Sequence, residues 1–217
     1  MNKVDYKKDY KDLYLPKTEP EEIVVPPMNF IMIDGKGNPN TENGEYGKAL
    51  EVLYSLTYTI KMSIKSGKEP IGYFDYVVPP LEGLWWMEDD SFADFTVKDK
   101  FMFTSMIRQP EFVTEEVFNW ALQEVARKKP ELDTGKARFV TWDEGLCVQI
   151  LHLGPFDEEA ASVAKIEEYI KEHNLKNDMS AVQSDGSIRR HHEIYISDYR
   201  KTKPENLKTV IRHPVRR

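Results

Sequence analysis

Apolar residues recur along this chain at two spacings, and the way the spacings alternate predicts an α+β fold. From residue 46 to 64, Tyr46, Leu50, Leu53, Thr57, Ile60 and Ile64 step by three and four, the period of a helix laid on a sheet. Val117, Phe118, Ala121, Leu122 and Val125 predict a second helix, opened by Thr114 and closed before Pro130. Ala160, Val163, Ile166, Tyr169 and Ile170 predict a third, opened by Asp157 and ending at Asn174. Between the helices, β-branched and aromatic runs bounded by Gly and Pro predict strands at 29–34, 71–78, 81–87, 101–107, 137–142, 146–153, 190–198 and 207–212.

Two parts of this order rhyme. Strand 29–34, a glycine turn and helix 46–64 are followed by strands; strand 146–153, Gly154-Pro155 and the third helix are followed by strands again. The repeat predicts a pseudo-twofold α+β tandem of strand-helix-strand-strand modules, with antiparallel sheets meeting at a central groove. Residues 1–28, rich in Lys, Asp, Tyr and Pro, predict an extended arm along a sheet edge. Residues 29–217 form the domain, with halves at 29–130 and 137–217. Asp143-Glu144-Gly145 predicts a hairpin turn, which makes Glu144 a turn carboxylate.

Near the C-terminus, Arg190-His191-His192-Glu193-Ile194-Tyr195-Ile196-Ser197-Asp198 organises the chemistry. In a strand, His192, Ile194 and Ile196 share one face, and His191, Glu193, Tyr195 and Ser197 share the other. The first face reads as apolar. Looking into a concave, aromatic-lined space, Glu193 on the second is a desolvated acceptor able to hold a cation or activate a water. Leu81-Glu82-Gly83-Leu84-Trp85-Trp86-Met87 sets a second carboxylate among large rings. There Glu82 shares a side with Leu84 and Trp86, while Trp85 lies opposite with Gly83 and Met87.

Charge and composition narrow the classes. The 217 residues carry a net charge of -7, which disfavours a nucleic-acid partner, and the basic ending from Arg212 to Arg217 reads as a solvated tail. The one cysteine, Cys147, lies in an apolar run and reads as a small buried hydrophobe. The N-terminus lacks the apolar core of a signal peptide and no apolar run reaches membrane-spanning length, so a cytoplasmic protein with no membrane partner is expected. No metal site is expected: His191 and Glu193 offer two ligands on one strand face and His152 a third, yet no helical His-Glu-x-x-His or cysteine spacing supports them. Gly35-Lys36-Gly37 lacks a third glycine, so no nucleotide cofactor is expected, and no Gly-x-Ser-x-Gly marks a serine nucleophile.

Four blocks in order carry a resemblance. They are Leu81-Glu82-Gly83-Leu84-Trp85-Trp86, the run from Leu146 to Glu159, His192-Glu193-Ile194-Tyr195-Ile196-Ser197-Asp198, and Leu207-Lys208-Thr209-Val210-Ile211-Arg212. Together they resemble the GyrI-like small-molecule-binding superfamily over residues from 29 to the end. The resemblance implies a cleft in which a strand glutamate, Glu193 by position, faces aromatic walls. The block at 81–86 is similar to a standalone branch that hydrolyses cyclopropane-bearing alkylators of the yatakemycin and duocarmycin type. That branch implies Glu193 and Glu82 as water-activating glutamates, with rings sandwiching a flat substrate. Tyr195 is then a candidate donor to the substrate carbonyl, and Trp85, Trp86, Tyr73, Tyr76 and Trp142 are candidate ligand-binding rings. A small hydrophobic or aromatic molecule is the expected partner, and the sequence leaves the oligomeric state open. Two alternatives stand beside hydrolysis: a binding module without chemistry, and an acidic interaction protein resembling gyrase inhibitors.

Overall fold

The computed structural model describes residues 3–89 and 97–217. Nine strands and five α-helices make up the elements used here. The N-terminal segment contains α1 (Tyr6–Asp9), α2 (Lys11–Tyr14) and β1 (Glu21–Val25); the first half continues with β2 (Met28–Lys36), α3 (Glu45–Lys61), β3 (Leu81–Met87), β4 (Phe101–Arg108) and α4 (Glu115–Lys128). The second half contains β5 (Ala137–Trp142), β6 (Gly145–Leu153), α5 (Ala160–Glu172), β7 (Lys176–Asn177), β8 (His191–Tyr195) and β9 (Lys208–Arg216).

The strands pair antiparallel in the order β1-β6-β9-β8-β3-β4-β2-β5, and the short β7 pairs with β9. Read from either end, the interior order is the same: the first strand of a half, its third, then its second. The two halves meet where β3 pairs with β8, so the predicted pseudo-twofold runs through that central pair. The outermost strands are exchanged, because β1 pairs with β6 of the second half and β5 with β2 of the first. Two proline residues join β1 to β2, so opposite ends of the sheet approach within ~11 Å along the chain. The sheet must therefore curl into a half-barrel.

Each face of the curl has its own cover. The three long helices pack on one: Tyr46 of α3 lies tilted against Trp85 and edge-on to Phe103, Phe118 of α4 lies 6.0 Å from Phe139, and Ile166 and Ile170 of α5 bury against Val148, Ile150 and Ile211. Helix α5 begins at Ala160 without a side-chain cap, because the expected opener Asp157 lies in a preceding 3-10 turn, whereas α4 opens as expected. Thr114 accepts the backbone N–H of Val117 to open α4, and beyond α3 a short 3-10 turn closes at Gly67 in the left-handed region. The other face is covered by the N-terminal segment. Tyr14 donates to Glu82, Arg212 donates to the carbonyl of Leu13, and the Arg108 guanidinium lies over the rings of Tyr6 and Tyr10.

Four further expectations are corrected. The first 28 residues are not wholly extended, since residues 6–14 fold into helical turns that bury Tyr6, Leu13 and Tyr14. Residues 71–78 contribute only an isolated bridge, Val4 to Tyr76, because their rings gather into a cluster with Phe112 in place of a ladder. Asp143-Glu144-Gly145 is not a hairpin turn, as β5 and β6 leave it towards opposite ends of the sheet, with Gly145 at φ 68° turning the chain. The ending is not a solvated tail: Arg212 and His213 lie in β9, flanked by β6 and β8, and both are fully buried.

Candidate active site

The alternation predicted along residues 190–198 holds over the five residues of β8, His191–Tyr195, and it divides the chemistry between the two faces of the sheet. Directly paired residues in an antiparallel ladder share a face. Glu193 pairs with Gly83 and His191 with Trp85, whereas His192 pairs with Leu84 and with Arg212. Trp85 therefore lies with Glu193, and Trp86 lies on the far side with Glu82, stacked 4.7 Å from the Arg190 guanidinium. Glu82 and Glu193 do not converge on one site.

Glu82 instead belongs to a buried ion network beneath the N-terminal segment. His192 bridges two carboxylates, with Nε2 3.0 Å from Glu82 and Nδ1 2.8 Å from Glu144. Arg212 donates to the second Glu144 oxygen at 3.1 Å, to Gln149 and to the Leu13 carbonyl. Burial opposes the charge on His192, but Glu144 and then Glu82 overcome it and raise its pKa to about 9. Burial likewise opposes charge on Glu144, and His192 with Arg212 nevertheless lower it to about 2. Two carboxylates are balanced by an imidazolium and a guanidinium. The face expected to be apolar at His192 is thus polar, and within this four-group network the charges balance.

The helix-covered face is built differently. Glu193, 5% exposed, receives the Tyr195 hydroxyl at 2.7 Å on one oxygen and faces His191 Nε2 at 3.0 Å with the other. Trp85 Nε1 donates to the Tyr195 oxygen at 2.9 Å, so phenol and carboxylate are held in sequence. This chain of bonds explains a glycine in the 81–86 block. A Cβ at Gly83 would come within 2.7 Å of Trp85 Nε1 and 3.2 Å of the Tyr195 hydroxyl. Tyr46, Phe101 and Phe103 pack around Trp85, and Phe156 meets the Tyr195 ring edge-on.

A second carboxyl reaches this face from the start of α5. Glu159 is 1% exposed, and neither of its oxygens makes a well-formed hydrogen bond among the described residues, although Glu193 and the buried Thr209 hydroxyl lie beside it. Burial, then the adjacent Glu193 charge, push the Glu159 carboxyl well above the usual carboxylate range. The same burial and the Glu193 charge push the Tyr195 hydroxyl well above its ordinary value.

Donor atoms of Glu159, His191 and Glu193 all lie within 4.8 Å of one another, the spacing at which a cation could be held. Both His191 nitrogens and both Glu193 oxygens are already engaged, however, so a cation would displace hydrogen bonds the site makes for itself. His152, named with them from the sequence, is turned instead to Ser162 and the Pro155 carbonyl.

The remaining predicted rings lie elsewhere. Tyr73 donates to the Lys61 carbonyl and clusters with Tyr76 and Phe112 near the C-terminal end of α3. Tyr46, at the other end of that helix, touches Trp85, which puts the two regions ~22 Å apart along the helix axis. Trp142 sits on the outermost strand, opposite Met28, with its indole N–H buried and unpartnered. Sequence reasoning missed Glu159, Glu144, Arg212 and His213. For the last two, β9 carried a signal, since Arg212 and His213 interrupt the apolar run from Val210 to Val215.

The fold and this geometry can be set beside known proteins. A family profile described as the GyrI-like small molecule binding domain matches residues 18–216. A solved structure of an uncharacterized conserved protein from Listeria innocua is 50% identical, with a TM-score of 0.88 over 98% of this chain and all of that one. Two structures from the same organism, each described as a hydrolase, are 47% and 48% identical, with TM-scores of 0.85 and 0.87. They cover 98% and 99% of this chain and the whole of theirs. No curated protein sequence matches.

Proposed function

The chain belongs to the GyrI-like small-molecule-binding family, and from that premise we propose that it is a hydrolase in which Glu193 and Glu159 add water to a neutral, strained electrophile. The substrate class proposed is the cyclopropane-bearing alkylator to which the 81–86 block points. The observation that carries the reading is the buried carboxyl pair: one member is oriented by the Tyr195 hydroxyl and faces His191, and the other, with no hydrogen bond of its own among the described residues, is biased towards its protonated form. The two similar hydrolases support water as the co-substrate.

In this mechanism, the Glu193 carboxylate takes a proton from water as the water oxygen bonds to a ring carbon. The cyclopropane C–C bond breaks, and its electron pair moves through the conjugated system to the carbonyl oxygen. Glu159 protonates that oxygen, so the product is substrate plus one water. Before the next turnover Glu193 must release its proton and Glu159 must regain one. A general base typically contributes about 10²–10⁴-fold, and each stacked ring roughly 0.5–1.5 kcal/mol of affinity for a flat substrate. Tyr195 donates to Glu193, so we assign it to orienting the base and leave the substrate oxygen to Glu159. Incubating the protein with a cyclopropane-bearing alkylator and following the compound by mass spectrometry tests the reading. Catalytic gain of one water supports it; a compound bound tightly and recovered intact would make the protein a binding module.

A further inference from the structure

A line of four hydrogen-bonded groups leads away from Glu193 to the surface. Glu193 Oε1 faces His191 Nε2 at 3.0 Å; His191 Nδ1 faces His213 Nε2 at 2.8 Å; and His213 Nδ1 faces Glu167 Oε1 at 3.3 Å. Both imidazole side chains are fully buried, whereas the Glu167 side chain, on α5, is 47% exposed. The two rings cross at 71° with centroids 5.0 Å apart, so nitrogen points at nitrogen and the rings are not stacked. We infer that Glu167, His213 and His191 form a proton conduit joining solvent to the buried Glu193.

Directionality follows from the acceptor at the outer end. Glu167 as a carboxylate can only accept, so His213 Nδ1 carries a proton. Burial, reinforced by His191 and opposed by Glu167, lowers the His213 pKa to about 4, so the ring is neutral at pH 7 and its Nε2 holds a lone pair. That lone pair accepts from His191 Nδ1–H. With both rings neutral, His191 Nε2 is left as the acceptor that receives a proton once Glu193 has taken one up. The other groups facing this line are Glu159 from the start of α5, Tyr195 from β8, Tyr46 from α3, and Asn177, whose amide donates to Glu167 at 3.3 Å.

A proton taken up by Glu193 passes to His191 Nε2 as the His191 Nδ1 proton moves to His213 Nε2. The His213 Nδ1 proton then moves to Glu167 and on to solvent. The reverse passage restores both tautomers, and because addition of water leaves the proton count unchanged, one proton out and one back closes the cycle. The conduit would thus keep a closed carboxyl pair in equilibrium with bulk pH. Its use in turnover rests on the hydrolase reading; the array itself does not.

Nitrogen NMR of the folded, substrate-free protein carrying ¹⁵N-labelled histidine tests the array alone. The expected result is a neutral His213 protonated on Nδ1 at pH 7. A neutral His213 protonated on Nε2, or a charged one, would overturn the conduit whether or not the protein is a hydrolase. Turnover of the cyclopropane-bearing compound supplies the second arm, with Glu167→Gln as a surface change that leaves the histidines in place. Its kcat is expected to fall about tenfold with KM unchanged and to recover with added imidazole buffer. No loss, or a loss that buffer does not restore, would contradict the conduit, while absence of turnover in the wild type would remove the hydrolase reading and leave the NMR result to decide.

Discussion

Strand β8 carries adjacent histidines that point in opposite directions, and the two faces they enter show how differently buried charge can be arranged. Around His192 every charge has its complement: Glu82 and Glu144 against His192 and Arg212, with Tyr14, Gln149 and Leu13 completing the hydrogen bonds. Around His191, Glu159 and Glu193 crowd together, with Glu159 making no well-formed hydrogen bond among the described residues and pushed towards neutrality. A network with every group satisfied specifies one structure, whereas an unsatisfied buried carboxyl is a cost that function can explain. The first face ties the N-terminal segment to the sheet. The second is where we place the chemistry.

The largest effect expected from this contrast is on turnover. Glu193→Gln should lower the rate of water addition by about 10²–10⁴-fold while the unfolding free energy changes little, as measured by mass spectrometry and urea titration on the same sample. On the opposite face, Glu144→Gln should lower stability by about 3–5 kcal/mol, because it leaves Arg212 and His192 buried beside a neutral group. A smaller loss follows Tyr195→Phe. Removing one hydrogen bond to a charged group costs about 1.5–3 kcal/mol, so turnover should fall roughly 10–100-fold, with retention of the full rate arguing against its orienting role.

The faces should also separate by pH. The folded pKa of His192, about 9, lies above its ordinary 6.5, so its contribution to stability is complete below 6.5 and is lost as pH rises towards 9. Glu144, folded at about 2 against an ordinary 4.5, contributes above 4.5 and loses that contribution as pH falls towards 2. His213, folded at about 4, contributes above 6.5 and loses its share as pH falls from 6.5 to 4. Unfolding free energies measured from pH 4 to 10 should therefore show an alkaline decline that Glu144→Gln makes shallower. An identical slope in that variant would dissociate Glu144 from the His192 charge. Mildest of all should be Gly83→Ala, which must move the Trp85 ring and should affect KM before it affects folding.

Much of this was legible in the chain. Strand alternation placed His191, Glu193 and Tyr195 together and His192 opposite, and the helix periods fixed α3 and α4. The repeat of strand, helix and two strands foretold the pseudo-twofold, though not that β3 and β8 pair at its centre. What sequence could not show was which charges are buried, because that depends on partners brought from afar. Glu144 read as a turn residue because local chemistry suits a hairpin, yet its neighbouring strands diverge to opposite sheet ends. Arg212 and His213 read as a tail because their burial follows only from β9 lying between β6 and β8. Glu159 had no pattern to reveal it, being one acidic residue among several at a helix start. Glu82 was drawn to Glu193 by resemblance, and the register of β3 against β8 sends it to the other face.

Glu159 and Glu82 together offer the most direct test, since both are buried glutamates and only their surroundings differ. Each would be changed to Gln, and melting temperature and turnover of a cyclopropane-bearing compound measured side by side. The account predicts that Glu159→Gln melts no lower than wild type and loses water addition, whereas Glu82→Gln melts lower and keeps it. A Glu159→Gln protein that retains full turnover, or a Glu82→Gln protein that is as stable as wild type but inactive, would contradict the division of roles between the two faces.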